Sequence, residues 1–159
     1  MPNHVINRLT FDCLEERLKQ ILSEICYDNN SDEDQKGIGT IDFNKITPMP
    51  ESLNIECGSN TDDGMNLYLT SINPSVDYFG TEKLDRKQLN GIVEKLRKLN
   101  RYGSYETHLS PDKIKVMTKY RSADALLQHG KTAVENLLNH HALTWYDWRN
   151  RSGTRNTKW

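Results

Sequence analysis

His4-Val5-Ile6-Asn7-Arg8-Leu9-Thr10-Phe11, running into Asp12-Cys13-Leu14-Glu15, is the stretch on which the fold class turns. Residues 4–11 alternate in part and are rich in β-branched and aromatic types, which suits a half-buried strand. Asp12 stands three residues before Glu15 with the spacing of a capping box. Leu14, Leu18, Ile21, Leu22 and Ile25 then recur at helical intervals on one face. The reading is a β-strand leading into an amphipathic helix, and with it an α+β fold.

Working outward, residues 28–37 contain Asn29, Asn30, Ser31, Asp32, Glu33 and Asp34, too polar to bury and rich in turn formers, so an exposed acidic loop is expected. Thr40 to Phe43 reads as a short strand or extended segment. Pro48 and Pro50 hold the backbone out of helix until about Glu51, with Pro50 suited to open a short helix. Thr61, Asp62 and Asp63 make a negative helix start ahead of Met65, Tyr68, Leu69 and Ile72 on one face, and Pro74 ends that helix. Asp85 and Gln88 form a capping pair before Leu89, Ile92, Val93, Leu96 and Leu99, with Lys95, Arg97 and Lys98 near the C-terminus and Gly103 as the stop. Ser110 and Pro111 begin a helix through Ile114 and Met117. Ser122 begins another, which Gly130 is expected to interrupt and Thr132 with Glu135 to restart, its face formed by Val134, Leu137, Leu138 and His141. Thr144 and Asp147 repeat the capping spacing, so the run Trp145-Tyr146-Asp147-Trp148 opens a last helical turn that ends at Gly153. The expectation is one domain over 1–159, mainly helical α+β, with an N-terminal strand–helix unit and few strands packed against five to seven short helices.

Hydrophobic residues make up 35% of the 159 and charged residues 27%, so core positions are scarce. No apolar run approaches the roughly 18 residues of a membrane span, and no leader pattern opens the chain, which reads as cytoplasmic with no membrane contact. Cys13, Cys26 and Cys57 are odd in number and form no CxxC pair, which fits reduced thiols better than a disulfide framework. Residues 1–80 carry 5 Lys and Arg against 14 Asp and Glu, a balance of −9, whereas residues 81–159 carry 16 against 8, or +8. The halves either neutralise each other or present two faces with different partners.

Candidate chemistry is sparse. His129, His140 and His141 are the nearest approach to a metal set, but adjacent helical residues point about 100° apart and no Cys or carboxylate stands at ligand spacing. The plainer reading is a core-facing His141 beside an exposed His140. Gly37-Ile38-Gly39 lacks the third glycine and the flanking strand and helix of a phosphate loop. No catalytic, cofactor or metal residue is assigned. The basic half interleaves Arg97, Lys98, Arg101, Tyr102, Tyr105, Lys119, Tyr120 and Arg121, types that contact phosphates and stack on bases, although a solvated helix face with aromatic plugs gives the same pattern. The end of the chain holds all three tryptophans with Arg149, Arg151, Arg155 and Lys158. Trp145, Trp148, Arg149, Arg151, Arg155, Lys158 and Trp159 are one candidate partner surface, with Trp145 and Trp148 expected to be at least half buried. Asp32, Glu33, Asp34, Asp62 and Asp63 are the other, since an acidic surface can occupy a nuclease's nucleic-acid groove.

Three blocks carry a resemblance: residues 1–11, then Ile41-Asp42-Phe43-Asn44-Lys45-Ile46-Thr47-Pro48-Met49-Pro50-Glu51-Ser52-Leu53, then Trp145-Tyr146-Asp147-Trp148. In order and rough spacing they resemble the YubB-like family of phage and plasmid proteins. The resemblance implies a small protein of mobile elements with a ferredoxin-like domain, in which the N-terminal strand and helix join strands that follow the aromatic block. Here Gly153-Thr154-Arg155-Asn156 lacks the flanking tryptophans of the family pattern, and the later strands are missing. That leaves the strand at 4–11 with an available edge, where a partner can add a strand.

The leading expectation is a phage or mobile-element protein in a bacterial host that binds and inhibits a host factor, most specifically a CRISPR effector nuclease. The runner-up is a nucleic-acid-binding accessory protein that uses the basic half. An enzyme is the third reading, with distant residues converging unseen.

Overall fold

A computed structural model describes residues 10–26, 41–99 and 105–152, and the chain divides into two compact units, 1–48 and 49–159. No strand occurs among the described residues, which overturns the α+β expectation: the described chain is helical. Of the strand expected over 4–11 only Thr10 and Phe11 are described, both irregular, and the rest lies outside the described residues, as does Gly103. At the second expected strand, the Asp42 carboxylate accepts the Asn44 N–H at 2.9 Å and so turns the chain into a helix at Phe43. An extended segment with no ladder partner leaves its backbone groups to water, so apolar alternation alone does not make a strand. With no strand described, strand-edge pairing has no edge to use among these residues.

The first unit contains helix α1 (Glu15–Ile25) and the single turn α2 (Phe43–Ile46). The Asp42 N–H donates to Ile25 O at 2.7 Å, and Lys45 Nζ donates to Cys26 O at 2.6 Å, so the end of α1 is tied to α2. Leu14 rather than Asp12 is the N-cap of α1, with no side-chain cap bond. None of the residues of α1 is buried, and Asn44, Lys45 and Ile46 of α2 are exposed.

The second unit holds the core. Its helices are α3 (Ser59–Ser71), α4 (Arg86–Lys98), α5 (Pro111–Met117), α6 (Ala123–His140) and α7 (Trp145–Ser152), preceded by a 3-10 turn at Glu51–Leu53. Met65, Leu69 and Ile72 of α3, Leu89, Ile92 and Leu96 of α4, and Ala133, Val134 and Leu137 of α6 bury one apolar cluster together with Leu143. A second cluster of Leu67, Leu109 and Leu126 takes in Ile114 and Met117 of α5. The cap of α4 forms as its spacing predicts: Asp85 accepts from Gln88 N at 2.8 Å and the Gln88 side chain accepts from Asp85 N at 3.0 Å.

Gly130 does not interrupt α6, which runs unbroken for 18 residues. A Cβ there would lie inside the van der Waals radius of the Gly64 carbonyl, and one at Gly64 would stand 2.6 Å from Leu126 O. The two glycines let the backbones of α3 and α6 approach more closely than any side chain permits. Thr132, read as a restart cap, instead donates its hydroxyl to Gln128 O at 3.0 Å within the helix. His141, expected in the core, is exposed and ends α6 in the left-handed conformation (φ 57°), while His140 is the partly buried one. The His141 N–H donates to Leu137 O at 3.1 Å.

Polar side chains set the loops. Asn66 and Thr70 of α3 and Asn73 just after it hold the segment before α5: Asn66 Oδ1 accepts Glu106 N–H at 3.0 Å, Thr70 Oγ1 accepts Leu109 N–H at 3.1 Å, and Asn73 Nδ2 donates to Thr107 O at 2.7 Å. Asn136, buried in α6, donates to Ser52 O at 2.8 Å and to Leu143 O at 3.1 Å, fixing the 3-10 turn and the approach to α7. Thr70, Asn73 and Asn136 are buried and Asn66 partly so, and each offsets its desolvation by bonding a loop backbone.

Candidate functional site

Helix α7 starts where its caps require. Thr144 Oγ1 accepts Tyr146 N–H at 3.3 Å, while the buried Asp147 carboxylate reaches back to Leu143 N at 3.1 Å and Thr144 N at 3.3 Å. This anchors an aromatic group in which Trp145 and Trp148 are both partly buried and Tyr146 is 49% exposed. Tyr146 meets Trp145 edge to face at 5.7 Å, and the exposed Arg149 lies 5.2 Å from the centre of the Trp145 ring. The helix thus exposes Tyr146 and Arg149, both against the partly buried Trp145 ring. Arg151 lies in the last turn of α7. Arg155, Lys158 and Trp159 lie outside the described residues, as do Asp32, Glu33 and Asp34.

Asp62 and Asp63 stand near the start of α3, away in sequence from α7 and on a different element. Asp62 is exposed, as a negative charge in a first helical turn can be. Asp63 is taken up by the opposite half of the sequence: Arg121 Nη2 donates to its carboxylate at 2.5 Å, Nη1 to Asn60 Oδ1 at 3.0 Å, and Nε to Met117 O at 3.0 Å. Here one carboxylate of the acidic half meets one cation of the basic half within one unit. With both side chains about one-third exposed, the pair contributes little more than a surface ion pair does.

Beside this pair lies an open cleft of about 280 Å³ lined by Asn60, Arg121, Ser122, Ala125, Leu126 and His129. His129 Nε2 lies 3.0 Å from Thr61 Oγ1, a separation at which a base can activate a hydroxyl. The Thr61 hydroxyl, however, donates to Glu56 O and is fully buried, so its oxygen accepts from His129 and is shielded from any substrate. The arrangement ties the start of α3 to α6. No spacing within 60–63 foretells it, and Arg121, just ahead of α6, and His129, within it, carry no signal of their own in the sequence. Among the described residues no group of three or more His, Cys, Asp or Glu is placed to hold a metal ion.

A third surface follows α5. Val116 is 74% and Tyr120 86% exposed, and Lys119 Nζ lies 5.0 Å from the Tyr120 ring centre. No helix among the described residues is long and apolar enough to cross a membrane. Compared with models of protein families, with curated proteins and with solved structures, the chain matches none of them.

Proposed function

We propose that the chain is a mobile-element protein that binds and inhibits a host factor, in its most specific form a CRISPR effector nuclease. The observation that carries this reading is the first unit. Its amphipathic helix α1 has an apolar face, Leu14, Leu18, Ile21, Leu22 and Ile25, and none of these residues is buried. Leu14 is 81% exposed, Ile46 53% and Phe11 40%. Exposed large apolar side chains on an amphipathic helix are the raw material of a helix-in-groove contact. Asp12, Glu15, Glu16 and Glu24 flank that face, with Glu15 paired to Lys19 at 2.7 Å. An apolar ridge edged by carboxylates complements the cationic wall of a nucleic-acid groove. Tyr146 and Arg149 of α7 supply a second contact of the aromatic and arginine type that anchors interfaces.

The test is target cleavage by a purified, guide-loaded CRISPR effector in the presence of the full chain. Cleavage is expected to fall as the chain saturates the effector, and Leu14→Asp with Leu18→Asp to restore it. Undiminished cleavage, with no co-elution of chain and effector, overturns the specific reading. Inhibition that survives both α1 substitutions but is lost in Arg149→Glu moves the contact from α1 to α7.

A further inference from the structure

The segment from α5 into α6 carries a surface that the proposed inhibition does not use. Ile114 and Met117 seat α5 on the Leu67, Leu109 and Leu126 cluster. The bend after α5 is held by Thr118 N–H to Ile114 O at 2.9 Å and Lys119 N–H to Val116 O at 3.3 Å, and all three guanidinium nitrogens of the next anchor, Arg121, are bonded. Tyr120 sits between these fixed points yet is 86% exposed, so its ring contributes almost nothing to the core. Val116, one turn earlier, is 74% exposed. Lys115 and Lys119 are exposed and form no ion pair with another described residue, whereas the neighbouring Lys113 is committed to Glu106 at 2.5 Å. Asp112 and Asp124, both exposed, are the acidic residues of the same segment.

We infer that Tyr120, with Val116, Lys115 and Lys119, is a stacking platform for single-stranded nucleic acid. Lys119 Nζ lies 5.0 Å from the centre of the Tyr120 ring, so an unpaired base of any identity stacks on the opposite face, while Lys119 beside the ring and Lys115 one turn earlier neutralise the flanking phosphates. A duplex keeps its base faces covered, so the ring selects unpaired strands. A pinned backbone presents the ring already in place, which lowers the ordering cost of binding. The inference stands apart from inhibition through α1 and can fail or hold without it.

The experiment is fluorescence anisotropy of a labelled oligo-dT of about 15 nucleotides with the full chain at low salt. Tyr120→Ala is expected to weaken binding by about tenfold or more and Tyr120→Phe to preserve it. Lys115→Gln and Lys119→Gln are each expected to reduce the salt slope by about 0.7. Because all three side chains are exposed, the variants should melt as the parent does, which the same samples verify by circular dichroism. Absence of binding, Tyr120→Ala binding like the parent, a duplex of equal length binding as well as the single strand, or poly-glutamate competing as well as poly-dT at equal charge would each overturn it.

Discussion

Helices α1 and α4 look alike in sequence, each an amphipathic run of leucine and isoleucine with charges behind it, yet α4 buries Leu89, Ile92, Val93 and Leu96 whereas α1 buries none of its residues. The difference lies outside the helices. The second unit supplies α4 with a surface to cover, built where α3 and α6 cross. Among the described residues of its own unit α1 meets the turn α2. Periodicity therefore states which face a helix would bury, and only tertiary context states whether anything receives it. An amphipathic helix without a core to cover is either marginal or waiting for a partner.

The largest effect is expected where α3 and α6 cross. Gly130→Ala gains about 1 kcal/mol of helix propensity, but its new methyl meets the α3 backbone, which cannot rotate away as a side chain can. The clash, about 3 kcal/mol or more, wins. Thermal unfolding followed at 222 nm should lose its cooperative transition or shift it far down. A transition like the parent's would mean the helices separate at little cost. Next in size, Leu96→Ala, at a fully buried position of α4, should lower stability by about 2–5 kcal/mol in urea unfolding. Leu18→Ala, at the equivalent face of α1, should cost less than about 1 kcal/mol. Equal losses would show that α1 is packed as α4 is. Smallest is Gly91→Ala on the open side of α4, where a Cβ meets nothing within 4 Å. It should raise stability by about 0.5–1 kcal/mol, opposite in sign to the same substitution at Gly130.

What could be read from sequence was local. The Asp85–Gln88 box, the Ser110 and Ser122 caps and the Thr144–Asp147 start all act within four residues, and all form. The partial burial of Trp145 and Trp148 was also legible, since large rings at helical spacing seek a core. Gly130 misled because glycine reads as a helix stop, while its use here depends on a glycine 66 residues earlier in sequence. The Arg121–Asp63 pair and the Asn66, Thr70 and Asn73 loop contacts join distant segments and leave no local spacing to detect. Residues 40–43 misled for a related reason: alternation marks a strand only when another strand lies beside it, and Asp42 turned the chain first.

The crossing of Gly64 with Gly130 has a bearing on which length changes the molecule tolerates. Each helix carries one notch, so the pair meshes in a single alignment, and slipping either helix by a turn brings a β-carbon to the meeting point. Residues added before Ser59 or after His140 leave the notches facing each other. One residue inserted between Gly130 and Ala133 rotates everything beyond it by about 100°, swinging Val134 and Leu137 off the core. Sequence drift in this protein should thus gather at the helix ends and loops, with the spacing from notch to core held fixed.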